Sequence, residues 1–344
     1  MVALYYSDIS ETSDFIRLTI FSGITAYSYK MTQIALYLFS ALQCTWQDCR
    51  RSSMFVVVCL LAQFVPNAAF GDSGSQVEYT NHDGAMYGNL PNCIQAMQSF
   101  TSAKSPGKPA LLRPGNTLSI LSWNVQKGAS EGWLADLKRL GTGQRLVLLQ
   151  EALLTPQMHD TQTGQLFWSF APGYSTDAFH SGLLMFSDVA PDIVCRFQVL
   201  EPWLGSPKAT GAALFAIPDR AHGLLVVNLH AVNFSFGLSD FEHQLTQVSQ
   251  LLRAVNGPAV VVGDFNTWRK GRLKKMNQLM VGAGLREVSF PVDKRVRFFG
   301  LPLDYIWARG LRRESSFTEA VMTSDHNPLM VTFRLDGKQT NATK

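Results

Sequence analysis

From residue 116 onward the chain is written in short runs rich in Val, Ile and Leu, most of them closed by Gly, Pro or Asn. Runs of this length bounded by turn residues read as strands rather than helices. They fall at 118–125, 146–150, 182–186, 212–217, 224–230, 259–263, 303–307 and 329–333. Helical signals are fewer. Ser239 with Glu242 three residues on predicts a capping box, followed by Phe241, Leu245, Val248 and Leu252 at helical spacing. Two more helices are predicted over 271–281 and 131–140. Many strands with a few helices between them predict two sheets packed face to face and flanked by helices. No Gly-rich phosphate loop follows the first strand, which argues against a dinucleotide-binding α/β fold.

Polar residues sit at the ends of these strands rather than scattered in loops. Asn124 ends the first, Gln150 and Glu151 the second, His230 the fifth, and Asp264 with Asn266 the sixth. Asp304 opens the seventh, and Ser324-Asp325-His326-Asn327 precedes the last. Strand ends converge on one edge of a sheet, so residues far apart in sequence can meet there. The set suits phosphodiester hydrolysis. Mg²⁺ or Mn²⁺ takes oxygen ligands, which Glu151 and Asn124 can supply. His326 beside Asp325 can serve as base, and Asn266 and His230 can stabilise charge growing on phosphorus.

Six segments, Ser122-Trp-Asn124, Gln150-Glu151, Asn228 to Asn233, Gly263-Asp-Phe-Asn266, Leu303-Asp-Tyr305 and Ser324 to Pro328, resemble in this order the signature motifs of the endonuclease/exonuclease/phosphatase superfamily. The likeness covers residues 116–335 and is greatest to the bacterial YafD-like branch. It implies a DNase I-like fold, a four-layered α/β sandwich of two packed mixed β-sheets flanked by helices. It also implies a metal-dependent hydrolase in which Glu151 and Asn124 bind the cation. His326 would sit on the scissile phosphate, with Asp325 or Asp304 orienting its ring. Asp264 would position or deprotonate the water, Asn266 would hold a phosphate oxygen, and His230 would be an acid for the leaving group. Whether His326 or Asp264 is the base stays open, and Asn233 is a further candidate for lining the site.

The N-terminal third follows other rules. Arg50 and Arg51 precede an apolar run over 54–65, small residues and a polar stretch from Asp72. That layout predicts a secretory signal or membrane anchor at about 50–71 within an extension of residues 1–71. If the signal is used the protein is secreted or periplasmic; otherwise it is cytoplasmic. Residues 72–115, rich in Ser, Asn, Gly and Pro, read as a linker or lead-in arm, and 336–344 as a disordered tail. Loss of the signal would leave Cys93 and Cys195, either as one disulfide or as two unpaired thiols.

The net charge is +4, yet twelve Lys or Arg lie between Trp268 and Arg313 against Glu287, Asp293 and Asp304. Such a surplus suits a polyanionic partner or a solvated face. Trp268 with Arg269, Lys270 and Arg272 could wall a nucleic-acid strand or could simply form the first turn of a helix. The expected substrate is a phosphodiester, with nucleic acid ahead of a lipid head group, acted on by a monomer. A sphingomyelinase-like phospholipid phosphodiesterase and a non-catalytic phosphate-binding module are the alternatives.

Overall fold

The computed structural model describes residues 79–102, 109–155, 165–176, 179–202, 205–235 and 237–335. The 1–71 extension with its signal-like stretch and the 336–344 tail lie outside the described residues. Among the described residues, no helix is long and apolar enough to cross a membrane.

In chain order the elements are β1 (Ala85–Tyr87), α1 (Leu90–Gln98), β2 (Thr117–Asn124), α2 (Trp133–Gly141), β3 (Leu146–Leu153), β4 (Phe167–Ser175), β5 (His180–Ser187), β6 (Ile193–Leu200), β7 (Pro207–Phe215) and β8 (Leu224–His230). They continue as α3 (Ser239–Ala254), β9 (Ala259–Asp264), α4 (Lys270–Gly282), β10 (Arg286–Glu287), β11 (Arg297–Phe298), β12 (Leu301–Pro302), β13 (Asp304–Arg309), β14 (Leu311–Thr318) and β15 (Leu329–Leu335). One sheet runs β1-β6-β7-β8-β9-β13-β10 and the other β14-β15-β2-β3-β5-β4. Both mix parallel and antiparallel pairs.

Because strand side chains alternate between faces, each strand feeds two cores. Ile120, Leu148, Val226, Val262, Ile306 and Val331 fill the space between the sheets. Their neighbours Leu225, Val227 and Val261 face outward to meet Phe241 and Leu245 of α3 and Met276 of α4. On the other sheet Leu121, Trp123, Val147 and Leu149 pack with Leu137 and Leu140 of α2. The result is the four-layered, DNase I-like α/β sandwich.

Besides the two- and three-residue strands β1, β10, β11 and β12, three longer strands escape a reading based on apolar runs. β4 contains Pro172 and Gly173, β6 contains Arg196 and Gln198, and β14 begins Leu-Arg-Arg-Glu-Ser-Ser. β4 and β14 are sheet edges, where a strand has neighbours on one side only and tolerates polar residues and Pro. The capping box does not form. Ser239 lies inside α3, Leu238 precedes it without a side-chain cap, and Glu242 instead pairs with Lys275 of α4 at 2.8 Å.

Within residues 72–115, read above as linker, the structure places β1 and α1. Asn89 caps α1 by accepting from the Asn92 amide at 2.9 Å, with Pro91 in the first turn. Both are helix-start signals hidden in a loop-like composition. Leu111 and Leu112 are fully buried, and the Arg145 guanidinium donates to the carbonyls of Leu111 and Ala110. A disulfide joins Cys93 of α1 to Cys195 of β6 across 102 residues of sequence.

Closing a loop of that length restricts the unfolded chain strongly. Replacing both cysteines by Ala is expected to lower stability by about 2–5 kcal/mol, read as a lower urea midpoint than that of the oxidised wild type. An unchanged midpoint would mean the bridge holds nothing that packing does not already hold.

Candidate active site

Strand register assembles the site before any loop is considered. Asn124 lies opposite Gln150, and His230 opposite Asp264, in parallel pairs. Asp304 lies opposite Asp264 in an antiparallel one. All sit at one edge, on the stripe of positions that deeper in the molecule carries the apolar residues between the sheets. Gln150 and Asn228 form the step from the apolar stripe to the polar cluster. Gln150 Nε2 donates to Asn228 Oδ1 at 2.6 Å, and Asn228 Nδ2 donates to the Leu149 carbonyl at 3.0 Å, linking the two sheets. Gly263 allows the close approach, since its φ is 144° and a Cβ there would stand 1.8 Å from the Leu229 carbonyl oxygen.

Asp264 is the hub. Its Oδ1 accepts from the Asn266 amide at 2.9 Å. Its Oδ2 accepts from Asn124 Nδ2 at 3.2 Å and lies 3.6 Å from His230 Nε2 and 3.8 Å from His326 Nε2. Burial pushes the carboxyl up to about 7; nearby His326 opposes that shift and Asp304 adds to it. Asn266, itself in the left-handed region at φ 49°, donates from Nδ2 to the Ala231 carbonyl at 2.9 Å.

His326 is oriented by Asp304, not by Asp325. Its Nδ1 meets Asp304 Oδ2 at 2.7 Å, and Trp123 Nε1 donates to its backbone carbonyl at 2.9 Å. Burial alone would lower the ring's pKa, but Asp304, Asp264 and Asp325 outweigh it and carry the pKa up to about 10. Asp325 is exposed at the rim.

Glu151 occupies a bulge in β3 with φ 51°, and its Oε2 meets Lys127 Nζ at 3.1 Å. Burial opposes ionisation, yet His230, Lys127 and Lys208 prevail and hold the carboxyl well below its ordinary range. Lys208, at the start of β7, places Nζ 3.2 Å from His230 Nε2. An ammonium can only donate, so that ring nitrogen is the acceptor and the ring proton sits on Nδ1. His230, its pKa lowered by burial and then by Lys208, has no Nε2 proton to give in this arrangement, contrary to the acid role expected for it. Neither lysine stands out in the sequence, because Lys127 lies in a turn and Lys208 follows a proline, outside every motif.

The aromatic and basic wall resolves into structure. Arg272 is fully buried; it donates to the carbonyls of Val232, Asn266 and Asn233 and lies over the Phe241 and Trp268 rings. Asn233 shapes the same loop by accepting from Trp268 Nε1 at 2.9 Å. Arg295 pairs with Asp293 and Glu287, and Arg309 binds the carbonyls of Leu252, Val255, Gly257 and Ala283. Three of the twelve basic residues are therefore engaged inside the fold, while Lys270, Lys274, Arg286, Lys294, Arg297, Arg312 and Arg313 stay exposed.

The donor set fits a hard divalent cation. Glu151 offers an ionised carboxylate beside Lys127, and Asn124 offers an amide oxygen that also accepts from the Gln126 amide at 3.0 Å. Ligand atoms of Asp264, Asp304 and His326 also lie within 4.8 Å of one another. There, however, Nδ1 of the ring is engaged by Asp304, which marks that trio as a proton-handling set.

Two facing mixed sheets whose strands end in this constellation define a phosphoesterase hydrolase of the DNase I-like fold. The family model described as "Endonuclease/Exonuclease/phosphatase family" matches residues 121–326, and the chain belongs to that family. A UPF0294 protein of Vibrio cholerae is 39% identical over 221 residues, 63% of this chain and 78% of the relative. One from Yersinia pseudotuberculosis is 36% identical over 229 residues, 66% and 87% respectively. The crystal structure of an endonuclease/exonuclease/phosphatase family protein from Bacteroides thetaiotaomicron superposes with a TM-score of 0.50. It shares 15% identity and covers 67% of this chain and 99% of that one.

His326 yields a pH prediction. Its folded pKa of about 10 lies above the ordinary 6.5, so its contribution to stability is fully present below pH 6.5 and is lost as pH rises toward 10. Asp264, carried up to about 7 by burial, adds its own loss of stability as pH rises to that value, so the part of the window above pH 7 reports His326. In metal-free buffer the wild type should lose stability across that range, while His326→Gln shows a flatter profile in pH-dependent urea melts. Parallel profiles would mean the ring carries no such proton.

Proposed function

We propose that the domain hydrolyses phosphodiesters with a divalent cation, Mg²⁺ or Mn²⁺, by in-line attack of water. The observation that supports this best is the meeting of Asn124, His230 and His326 on one oxygen of Asp264, beside an ionised Glu151. In this reading Glu151 and Asn124 hold the cation, which supplies positive charge to offset what builds up on the phosphoryl oxygens.

Asp264 accepts the proton of the attacking water. A buried carboxylate titrating near neutrality is matched to that task, whereas a ring kept protonated is not. His326, held by Asp304, donates from Nε2 to a non-bridging oxygen, and Asn266 helps hold the phosphate. As water bonds to phosphorus, the bond to the leaving oxygen breaks; that oxygen departs with the bonding pair and takes a proton from solvent at the open edge, and the proton held by Asp264 returns to solvent. Lys208 adds positive charge on the His230 flank. Asp325 screens the rim and takes no part in proton transfer.

A substrate panel of plasmid DNA, RNA, phospholipid vesicles and bis(p-nitrophenyl) phosphate, with metal omitted and restored, tests the reading. Hydrolysis should need added metal. His326→Ala should lower the rate by roughly 10²–10⁴-fold, and Glu151→Gln and Lys208→Met by roughly 10²-fold or more. A wild type and a Glu151→Ala, His326→Ala double variant that behave alike on every phosphoester would instead favour a phosphate-binding module.

We infer also that the domain matures in an oxidising compartment. The Cys93–Cys195 bridge supports this, since structural disulfides are rare in a reducing cytosol, and so does the signal-like layout of residues 50–71. Protein recovered from outside the cytoplasm should begin near Asp72 on N-terminal sequencing; recovery only from the cytosol with Met1 in place would rule this out.

A further inference from the structure

The catalytic edge is ringed by loop tips that present apolar side chains to water. At the end of β4 and just before β5, Tyr174 and Phe179 are exposed with ring centroids 6.0 Å apart. The β4–β5 turn lies just past Glu151, where the Leu154 amide donates to the His180 carbonyl. Leu200 is exposed where β6 turns into β7, next to Glu201, which accepts from the Asn233 amide in the loop after His230. Phe299 is 82% exposed at the tip of the β11–β12 hairpin that leads into Asp304. Met322, four residues before His326, is 94% exposed. Val292 stands nearby, its carbonyl accepting from Thr318 Oγ1 at the end of β14.

By strand register, the exposed Met86, Leu166 and Val281 sit toward the opposite end of the sheets. Single exposed apolar residues are ordinary, but a ring of them around one site marks a contact surface. Leu200, Val292 and Met322 have no π face, so they cannot stack on bases as a single-strand platform requires. They suit hydrocarbon. Lys294 and Arg297, both exposed, flank the Val292 and Phe299 tips and favour an anionic surface. Of the carboxylates there, Asp293 and Asp325 are both exposed, and Asp293 is paired with Arg295 and Arg297.

We propose that this rim seats the domain on a lipid surface, with a phosphodiester of a lipid head group as the substrate class. The substrate part rests on the phosphodiesterase reading; the surface part does not. The test uses the full chain and unilamellar vesicles of phosphatidylcholine with phosphatidylglycerol. Sedimentation is compared for the wild type, Phe299→Ser with Met322→Ser, and Leu200→Ser, all sharing the same N-terminal apolar stretch. Hydrolysis of soluble bis(p-nitrophenyl) phosphate on the same preparations reports intact folding and chemistry.

The double variant should bind vesicles about tenfold or more weakly and release less lipid phosphate, with the soluble rate unchanged. Vesicle binding equal to that of wild type would overturn the proposal. So would variants that lose only self-association, or only retention of single-stranded DNA, while still sedimenting with vesicles. If no protein cleaves any phosphoester but the binding difference persists, the phosphodiesterase reading fails and the lipid surface stands.

Discussion

The buried pair Gln150–Asn228 is the interaction on which the site depends. Two sheets joined only by Ile, Leu and Val could slide against each other with little cost, because apolar packing has no direction. Hydrogen bonds from Gln150 to Asn228 and from Asn228 back to the Leu149 carbonyl remove that freedom, since breaking them would strand buried polar groups. Just beyond them Asn124 reaches Asp264 across the same gap. Residues of two sheets can therefore be held to hydrogen-bond precision at one edge.

Precision at that edge is accompanied by backbone strain. Glu151, Asn266, Gln126 and Lys127 all adopt positive φ, a conformation that costs an L-residue roughly 1–2 kcal/mol. Each departs from regular geometry where a side chain must be re-aimed. Glu151 does so in a bulge, which turns it toward Lys127 and His230 instead of leaving it on the alternating pattern of β3. The rest of the fold, with three apolar layers of contact and a disulfide, is what holds these residues in place.

The distribution of positive charge also bears on function. Arg272, Arg295 and Arg309 look like surface cations in a list of residues, yet their guanidinium groups bind carbonyls and carboxylates inside the protein. Arg272 and Arg309 satisfy loop and helix-end carbonyls that would otherwise be buried without partners, and Arg295 binds Asp293, Glu287 and the Asp304 carbonyl.

The sequence alone determined the strands between the sheets and the chemistry at their ends. Central strands need apolar residues on both faces, and this leaves a strong signal, as at 224–230 and 259–264. The motif residues were legible because they interrupt those runs at the same point. Edge strands β4 and β14, and α1 within a loop-like stretch, were not legible, because their stability comes from neighbours distant in the chain. Only the tertiary structure decided that Asp304 rather than Asp325 holds His326, that Lys208 takes the Nε2 lone pair of His230, and that Arg272 is buried. Each depends on the direction in which one side chain points across a strand pair or loop, and a hydrogen bond between residues far apart in the chain leaves no periodic trace in the sequence.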